Sequence, residues 1–381
     1  MAKYSIAVIK GDGIGPEVID EALKVLALVG QIYGMDIFCE EFPFGAGYYL
    51  EHKEVLPKSA FDDLGAHQAI LLGAIGDPRV PMGPLEQELL LALRFHFDQY
   101  MNLRPAKSWP GVSQPLILPE GRDIDILVVR ENTEDFYMNL GGSFEGTTSK
   151  NFQLSRSLYQ GKIALNIELD PKRKAAYSLG MLSYEGTRRI SLKAFQFAIG
   201  RGESFIHVAT KSNALPHIYG FWDEVVAKCQ GDFPSLDARR MNVDNLAYQL
   251  ARNPQNFGVI LCPNLFGDII SDLTAGLIGG LGLAPSGNIG ESLSMFEPVH
   301  GSAPDIKGTG RANPLAAILS VALMLSHLGE PLAAKTIEMA VGNYLSQSPK
   351  PAFPKELGGD ADTRKVGELV LAEIKKLPPI A

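Results

Sequence analysis

The chain has 381 residues, 46% of them hydrophobic and 20% charged, with a formal net charge of −8. That length gives room for two domains or one large α/β domain, and an acidic balance without a basic stripe excludes a nucleic-acid-binding surface. Three distant cysteines (Cys39, Cys229 and Cys262) exclude a disulfide framework, and with no signal-like start and no long apolar run, a soluble cytoplasmic protein is expected.

In chain order, "YSIAVI" predicts a strand, then a glycine-rich turn from Gly11 to Gly15, then the helix "PEVIDEALKVLALVGQIYG". The standard dinucleotide fingerprint is G-x-G-x-x-G. Here the spacing is G-x-G-x-G, and Pro16 stands where the third glycine belongs. The turn therefore reads as a tight strand-to-helix connection, with proline at the first helical position. "MDIFCEEF" and "QAILLGAIG" predict strands, and "LEQELLLALRFHFD" a helix. "IDILVVREN", "ESFIHVATKSN" and "FGVILCPN" predict further strands. "EGTRRISLKAFQFAIGRG", "FWDEVVAKCQ" and "FGDIISDLTAGLIGGLG" predict helices between and after them. Three more helical patterns close the chain. This alternation implies α/β layers on a largely parallel sheet. The stretch after Tyr137 breaks the rhythm for more than about 40 residues, a length typical of a lid, arm or interface element. Within it, Lys172-Arg173-Lys174 follows Asp170-Pro171 and reads as a solvated helix start.

The chemistry-bearing residues fall into groups. Asp268 and Asp272 are four apart on an apolar helix, so both carboxylates share one face. Like charges there repel, unless a hard cation such as Mg²⁺ or Mn²⁺ sits between them; a solvated helix face is the alternative. Asp244, in "NVDNLAYQL", could supply a third carboxylate. Arg94, Arg104 and Arg130 could hold a di-carboxylate bidentately, and Arg130 ends an apolar strand, where α/β proteins place their sites. Lys211 and Tyr137 each follow a strand end; a lysine near a metal and arginines suits general-base use, with the tyrosine as proton donor. The seven histidines show no zinc spacing. His300 lies in "FEPVHGSAPDIKGTGRANP", a loop able to wrap a phosphate-bearing ligand with backbone N–H groups.

Together "GDGIGPEV", "VRENTEDFY", "TKSN", "NLFGDIISDL" and "EPVHGSAPDIKGTGRANP" resemble the β-decarboxylating dehydrogenases, a family including isocitrate, 3-isopropylmalate, homoisocitrate, tartrate and D-malate dehydrogenases. The similarity runs from about Ile6 to about Gly367. It implies an isopropylmalate-dehydrogenase-like α/β fold of two domains, not the standard Rossmann fold. One domain holds both termini (1–101 and 258–381) and the cofactor loop. The other (102–257) carries the dimer contact, with an arm at about 138–165. The resemblance further implies that Arg94, Arg104 and Arg130 grip malate carboxylates. Asp244, Asp268 and Asp272 would hold Mg²⁺ or Mn²⁺, and Tyr137 and Lys211 would be the acid–base pair. Lys211 and Asp244 would come from the second subunit of a homodimer. Asn213 and Glu297 would lie near the nicotinamide. His300, Gly301, Ser302, Ala303, Asp305, Ile306 and Asn313 would bind the adenosine half of NAD.

The implied reaction is metal-dependent oxidative decarboxylation of a malate-type 2-hydroxy acid. The helix leading into Arg94 sets the substrate. Isocitrate-type members place serine and asparagine six and four residues before this arginine; Glu88 and Leu90 stand there here, which disfavours a third carboxylate. Leu90 and Leu91 suit an alkyl group. "FDQYMNLRP", "ATKSN" and "FWDE" look more like the tartrate and D-malate branch, which is the expected substrate type, with a 3-alkylmalate such as 3-isopropylmalate as the alternative. A non-catalytic regulatory subunit on the same fold is the out-of-class alternative; the complete set of site residues speaks against it.

Overall fold

The computed structural model describes residues 2–81 and 83–380. The chain begins β1 (Lys3–Ile9), α1 (Gly15–Tyr33), β2 (Asp36–Glu41), α2 (Ala46–His52), α3 (Ala60–Gly65) and β3 (Ala69–Leu72). A π-helical stretch, Glu86–Leu91, runs into α4 (Ala92–His96), followed by β4 (Met101–Lys107) and β5 (Asp125–Glu131). Four strands come next: β6 (Gly141–Glu145), β7 (Thr147–Ser155), β8 (Gln160–Glu168) and β9 (Lys174–Ser178). Then come α5 (Tyr184–Gly200), β10 (Phe205–Thr210), α6 (Pro216–Gln230), β11 (Asp237–Asn242), α7 (Val243–Leu250), β12 (Val259–Cys262) and α8 (Asn264–Leu277). The chain ends with β13 (Pro285–Ile289), β14 (Ser294–Pro298), α9 (Leu315–His327), α10 (Pro331–Gln347) and α11 (Thr363–Lys376).

Among the described residues one ten-stranded sheet runs β11-β10-β12-β5-β4-β13-β14-β3-β1-β2. The two flanks are parallel within themselves, as the α/β alternation implies. The centre is antiparallel: β13 pairs antiparallel with β14 and β4, and β4 with β5. The flanks therefore run in opposite directions. Strand alternation sorts the core. Ile6 and Val8 of β1 enter the main apolar cluster, while Ala7 and Ile9 enter a second one beneath α2, α3 and α4.

Three expectations change. The stretch expected to form an arm at about 138–165 folds as part of two ribbons that run on to Ser178, β6 with β9 and β7 with β8. Its strands alternate between exposed and half-buried positions, a pattern too weak in apolar residues to mark their ends. Lys172-Arg173-Lys174 is a turn into β9 rather than a helix start: Lys172 takes a φ of 68°, and Arg173 N–H bonds back to Asp170 O. The helix before Arg94 is π-helical in its first part, so its side chains do not follow a 3.6-residue projection.

Candidate active site

Arg104 and Arg130 reach one site because strand register puts them there. Arg104 on β4 lies opposite Val128 of β5, two residues from Arg130 on the same face. That face is covered by α8. Arg130, 1% exposed, donates from Nε and Nη2 to Asn264 Oδ1 at 3.0 and 2.8 Å, and from Nη1 to Asp268. Arg104 Nη1 bonds Ser271 Oγ at 2.7 Å and Asp272 at 3.1 Å, and lies 3.5 Å from Asp268. Arg94 completes the triad, 3.4 Å from Glu297, whose carboxylate also accepts from Asn288 Nδ2 at 2.7 Å. Burial lowers the Arg94 guanidinium and pushes Arg104 down to about 10, with Arg130 adding to both effects. Such packing of cations is costly unless anions meet them. The Nε atoms of Arg94 and Arg104 are buried without a partner among the described residues.

Tyr137 donates its hydroxyl to Asp268 Oδ2 at 2.6 Å and lies under the Arg130 guanidinium, 5.0 Å from ring centroid to Cζ. Burial raises its phenol above the ordinary value, and the Asp268 hydrogen bond adds to this. Burial alone would raise the Asp268 carboxyl too, but Arg130 and Arg104 hold it below the usual range. Asp272 is raised by burial, with Asp268 contributing, as the like-charge pair on one helix face requires.

Two residues of this site carry no signal in a list of charged groups. Asn264, buried at the start of α8, joins Arg130 to the chain: its Nδ2 donates to Glu134 O at 3.1 Å. Gly267 leaves room for the arginine, since a Cβ there would lie 2.5 Å from Arg130 Cγ. Both stand within one helical turn of Asp268, the only local hint available. Asn264→Ala removes two hydrogen bonds to a charged group, each contributing about 1.5–3 kcal/mol. The expected result is a rise in substrate KM of roughly 10–100-fold with a smaller change in kcat. Steady-state kinetics checks it.

Lys211 and Asp244 form a separate pair, Nζ to Oδ1 at 2.7 Å, with exposed Asn213 on the same loop as Lys211. The hydrogen bond from Lys211 holds the Asp244 carboxyl below its usual range. No bond joins this pair to the Asp268 cluster among the described residues, and no group of three metal-ligating side chains assembles in one chain. Asp244 starts α7, while Asp268 and Asp272 lie on α8. Asp268 and Asp272 do fit a hard divalent cation: both are oxygen donors on one face, and Asp272 keeps its carboxylate 58% exposed.

The glycine-rich turn meets the His300 loop. Gly13 takes a φ of 56°, and a Cβ there would lie 1.9 Å from Ser302 O; Ile14 N–H donates to the same carbonyl at 2.9 Å. Asp12 ties the turn down by accepting from Ala46 and Gly76 N–H. His300 Nδ1 lies 3.0 Å from Gly301 O, while its Nε2 is buried without a partner among the described residues, an orphan that fits a bound polar ligand. Gly301 and Asp305 are exposed, Ile306 is half-buried, and Ala303 takes a φ of 38°. Asn313 stands at the end of this loop. Its amide is committed inward, to Glu356 at 3.0 Å and Leu315 N–H at 3.1 Å, so it braces the loop. Leu90, expected on the substrate, packs partly on the second core cluster; half-buried Leu91 packs on none of the apolar clusters and precedes Arg94 by three residues.

The isocitrate/isopropylmalate dehydrogenase family model matches residues 5–370. A 3-isopropylmalate dehydrogenase from Thermobifida fusca is 41% identical over 95% of each chain, and one from Mycobacterium avium 42% over 97% of this chain and 99% of its own. The fold is similar to isocitrate dehydrogenase from Methylococcus capsulatus, with a TM-score of 0.83 and 31% identity over 98% of this chain and 100% of that one. It is also similar to a β-decarboxylating dehydrogenase from Thermococcus kodakarensis, with a TM-score of 0.72 and 32% identity over 98% and 96%. Among the described residues, no helix is long and apolar enough to cross a membrane. Guanidinium triad, carboxylate pair, tyrosine and glycine-bearing cofactor loop thus occur within a chain matched almost end to end, and the chain belongs to the isocitrate/isopropylmalate dehydrogenase family as an NAD-dependent β-decarboxylating dehydrogenase acting on a CH–OH group.

Proposed function

We propose that the substrate is a 3-alkylmalate of the 3-isopropylmalate type, rather than the tartrate or D-malate type that the short motifs favour. Relatives 41–42% identical over nearly the whole chain are named 3-isopropylmalate dehydrogenases, and they outweigh three short stretches. The site agrees. Leu91, aliphatic and unpacked, sits three residues before Arg94, and Leu90 stands beside it; each buried methylene contributes about 0.8 kcal/mol. Glu88 is exposed and would repel a third carboxylate. The carrying observation is the buried arginine triad, whose present partners are the chain's own carboxylates and which substrate carboxylates would take over.

Arg94, Arg104 and Arg130 hold the two malate carboxylates. Asp268 and Asp272, with Asp244 of the partner subunit, would hold Mg²⁺ or Mn²⁺, which when bound polarises the substrate oxygen as a Lewis acid. Lys211 of the partner subunit takes the hydroxyl proton as hydride leaves C2 for the nicotinamide. The β-carboxylate then departs as CO₂, leaving its electron pair as an enolate. Tyr137, oriented by Asp268, returns a proton to C3.

The site is divided between two copies of the chain. Asp244 and Asp268 sit on neighbouring helices α7 and α8, which also expose Tyr248 (52%) and Ile269 (59%), apolar surface suited to an interface. The β7–β8 ribbon leaves Leu165 and Ile167 half-buried and outside its small apolar cluster, and a lone two-stranded ribbon is marginally stable, so it suits an arm laid on the partner. The domains divide at 1–101 with 258–381, and 102–257.

NAD is preferred over NADP. Exposed Asp305 would accept hydrogen bonds from ribose hydroxyls and repel a 2′-phosphate, while Ile306 offers that phosphate no donor. The expected preference in kcat/KM is at least about 100-fold, about 2.7 kcal/mol. Substrate identity is tested by kcat/KM for 3-isopropylmalate, D-malate, tartrate and isocitrate under one set of conditions. 3-Isopropylmalate is expected to lead. D-malate or tartrate leading by tenfold would return the site to the other branch, and isocitrate leading would refute the Glu88 reading.

A further inference from the structure

The sheet face opposite Arg104 holds a second cavity. Helix α9 covers β13 and β14 there, and α5 covers β5, β12 and β10. Where these helix layers part, over the C-terminal half of β4, a cavity of about 230 Å³ opens. Pro105 and Lys107 line it because they alternate with Arg104 along β4.

Its charges are unevenly spent. Arg201, at the end of α5, is engaged by Asp125 at 3.1 Å and Glu203 at 2.9 Å. Lys107 and Glu338, both solvent-exposed, line the cavity and have no ion-pair partner among the described residues. Lys107 Nζ stands 5.2 Å from the Trp109 ring centroid, in cation–π contact. Burial raises the Glu338 carboxyl and the nearby Asp125 charge adds to this, against Lys107 and Lys335, so an added ammonium would be welcome there. Asp125, held by Arg201, also lines the cavity, and the rest of the wall is apolar, chiefly Leu283, Leu319 and Leu323.

We propose that this cavity binds a zwitterionic α-amino acid with an aliphatic side chain, its ammonium on Glu338, its carboxylate on Lys107 and its side chain against Leu319 and Leu323. A diacid would place an anion against Glu338, and a simple amine would leave Lys107 unmatched. At ~30 Å³ per water the space equals roughly eight waters, enough for an amino acid and too small for a nucleotide. Lys107 and Glu338 lie outside the catalytic set, so the inference stands independently of the substrate reading.

Calorimetric titration of the intact protein with L-norleucine tests it, with hexanoate and pentylamine as half-ligands. Saturable binding of norleucine is expected, with each half-ligand at least about tenfold weaker. Lys107→Met and Glu338→Gln should each weaken norleucine by about tenfold or more while basal turnover, the control for folding, is unchanged. No saturation by about 20 mM norleucine, a half-ligand binding as tightly as the amino acid, or unchanged affinity in either variant overturns the proposal.

Discussion

Asp268→Asn is expected to lower kcat by roughly 1,000-fold, about 4 kcal/mol of transition-state stabilisation, while the fold stays intact. The carboxylate is the shared acceptor of the site: Arg130 and the Tyr137 hydroxyl both donate to it, and Arg104 lies 3.5 Å away. An asparagine keeps the shape but loses the charge that balances three buried cations and would ligate the metal. Arg130 remains anchored by Asn264, so the helix and strand stay packed. Circular dichroism should be unchanged, and activity should no longer respond to added Mn²⁺. Wild-type turnover at ordinary metal concentrations would show that the cation sits elsewhere.

Lys211→Met and Tyr137→Phe are expected to fail at different steps. General acid–base groups contribute about 10²–10⁴-fold. Without its amino group, position 211 cannot relay the hydroxyl proton, so oxidation and the reverse reduction of the 2-keto product should both fall by that order. Tyr137→Phe keeps the ring under Arg130 but loses the hydroxyl bonded to Asp268. Decarboxylation and protonation should slow more than reduction of the 2-keto product. Equal losses in both assays for both variants would remove this division of labour.

Much of the fold was legible where apolar strands are continuous. β3 and β12 are four-residue buried runs, and β10 is nearly so, each followed or preceded by a helical pattern. Of the central strands, β5 was legible, and β4, β13 and β14 were not. β4 contains Pro105, and Asn102 within it bonds Ser286 and Asn288 of β13 at 2.8 and 3.1 Å, so the middle of the sheet is a buried polar network with no strand-like sequence. Glycine turns were ambiguous for a related reason: Gly13 is required by Ser302, some 290 residues away in the chain, which no local pattern reveals.

The site divides the same way. The four-residue spacing of Asp268 and Asp272 carries its own geometry, and the arginines stood out as strand- and helix-end cations. Asn264 and Gly267 act through Arg130 and are silent in a scan for reactive groups. The π-helical winding that shifts the phase of Leu90 and Leu91 has no mark in the sequence pattern. Lys211 and Asp244 could be named but not placed beside Asp268, since one chain does not bring them together.

That separation makes the decisive measurement a mixing experiment. Asp268→Asn and Lys211→Met are each nearly inactive alone. Unfolding-free subunit exchange of equal amounts should yield half mixed dimers, each with one site carrying both substitutions and one carrying neither, so about a quarter of wild-type activity should return. A mixture as inactive as its parents, with exchange verified by mass-tagged subunits, would contradict an active site built from two chains.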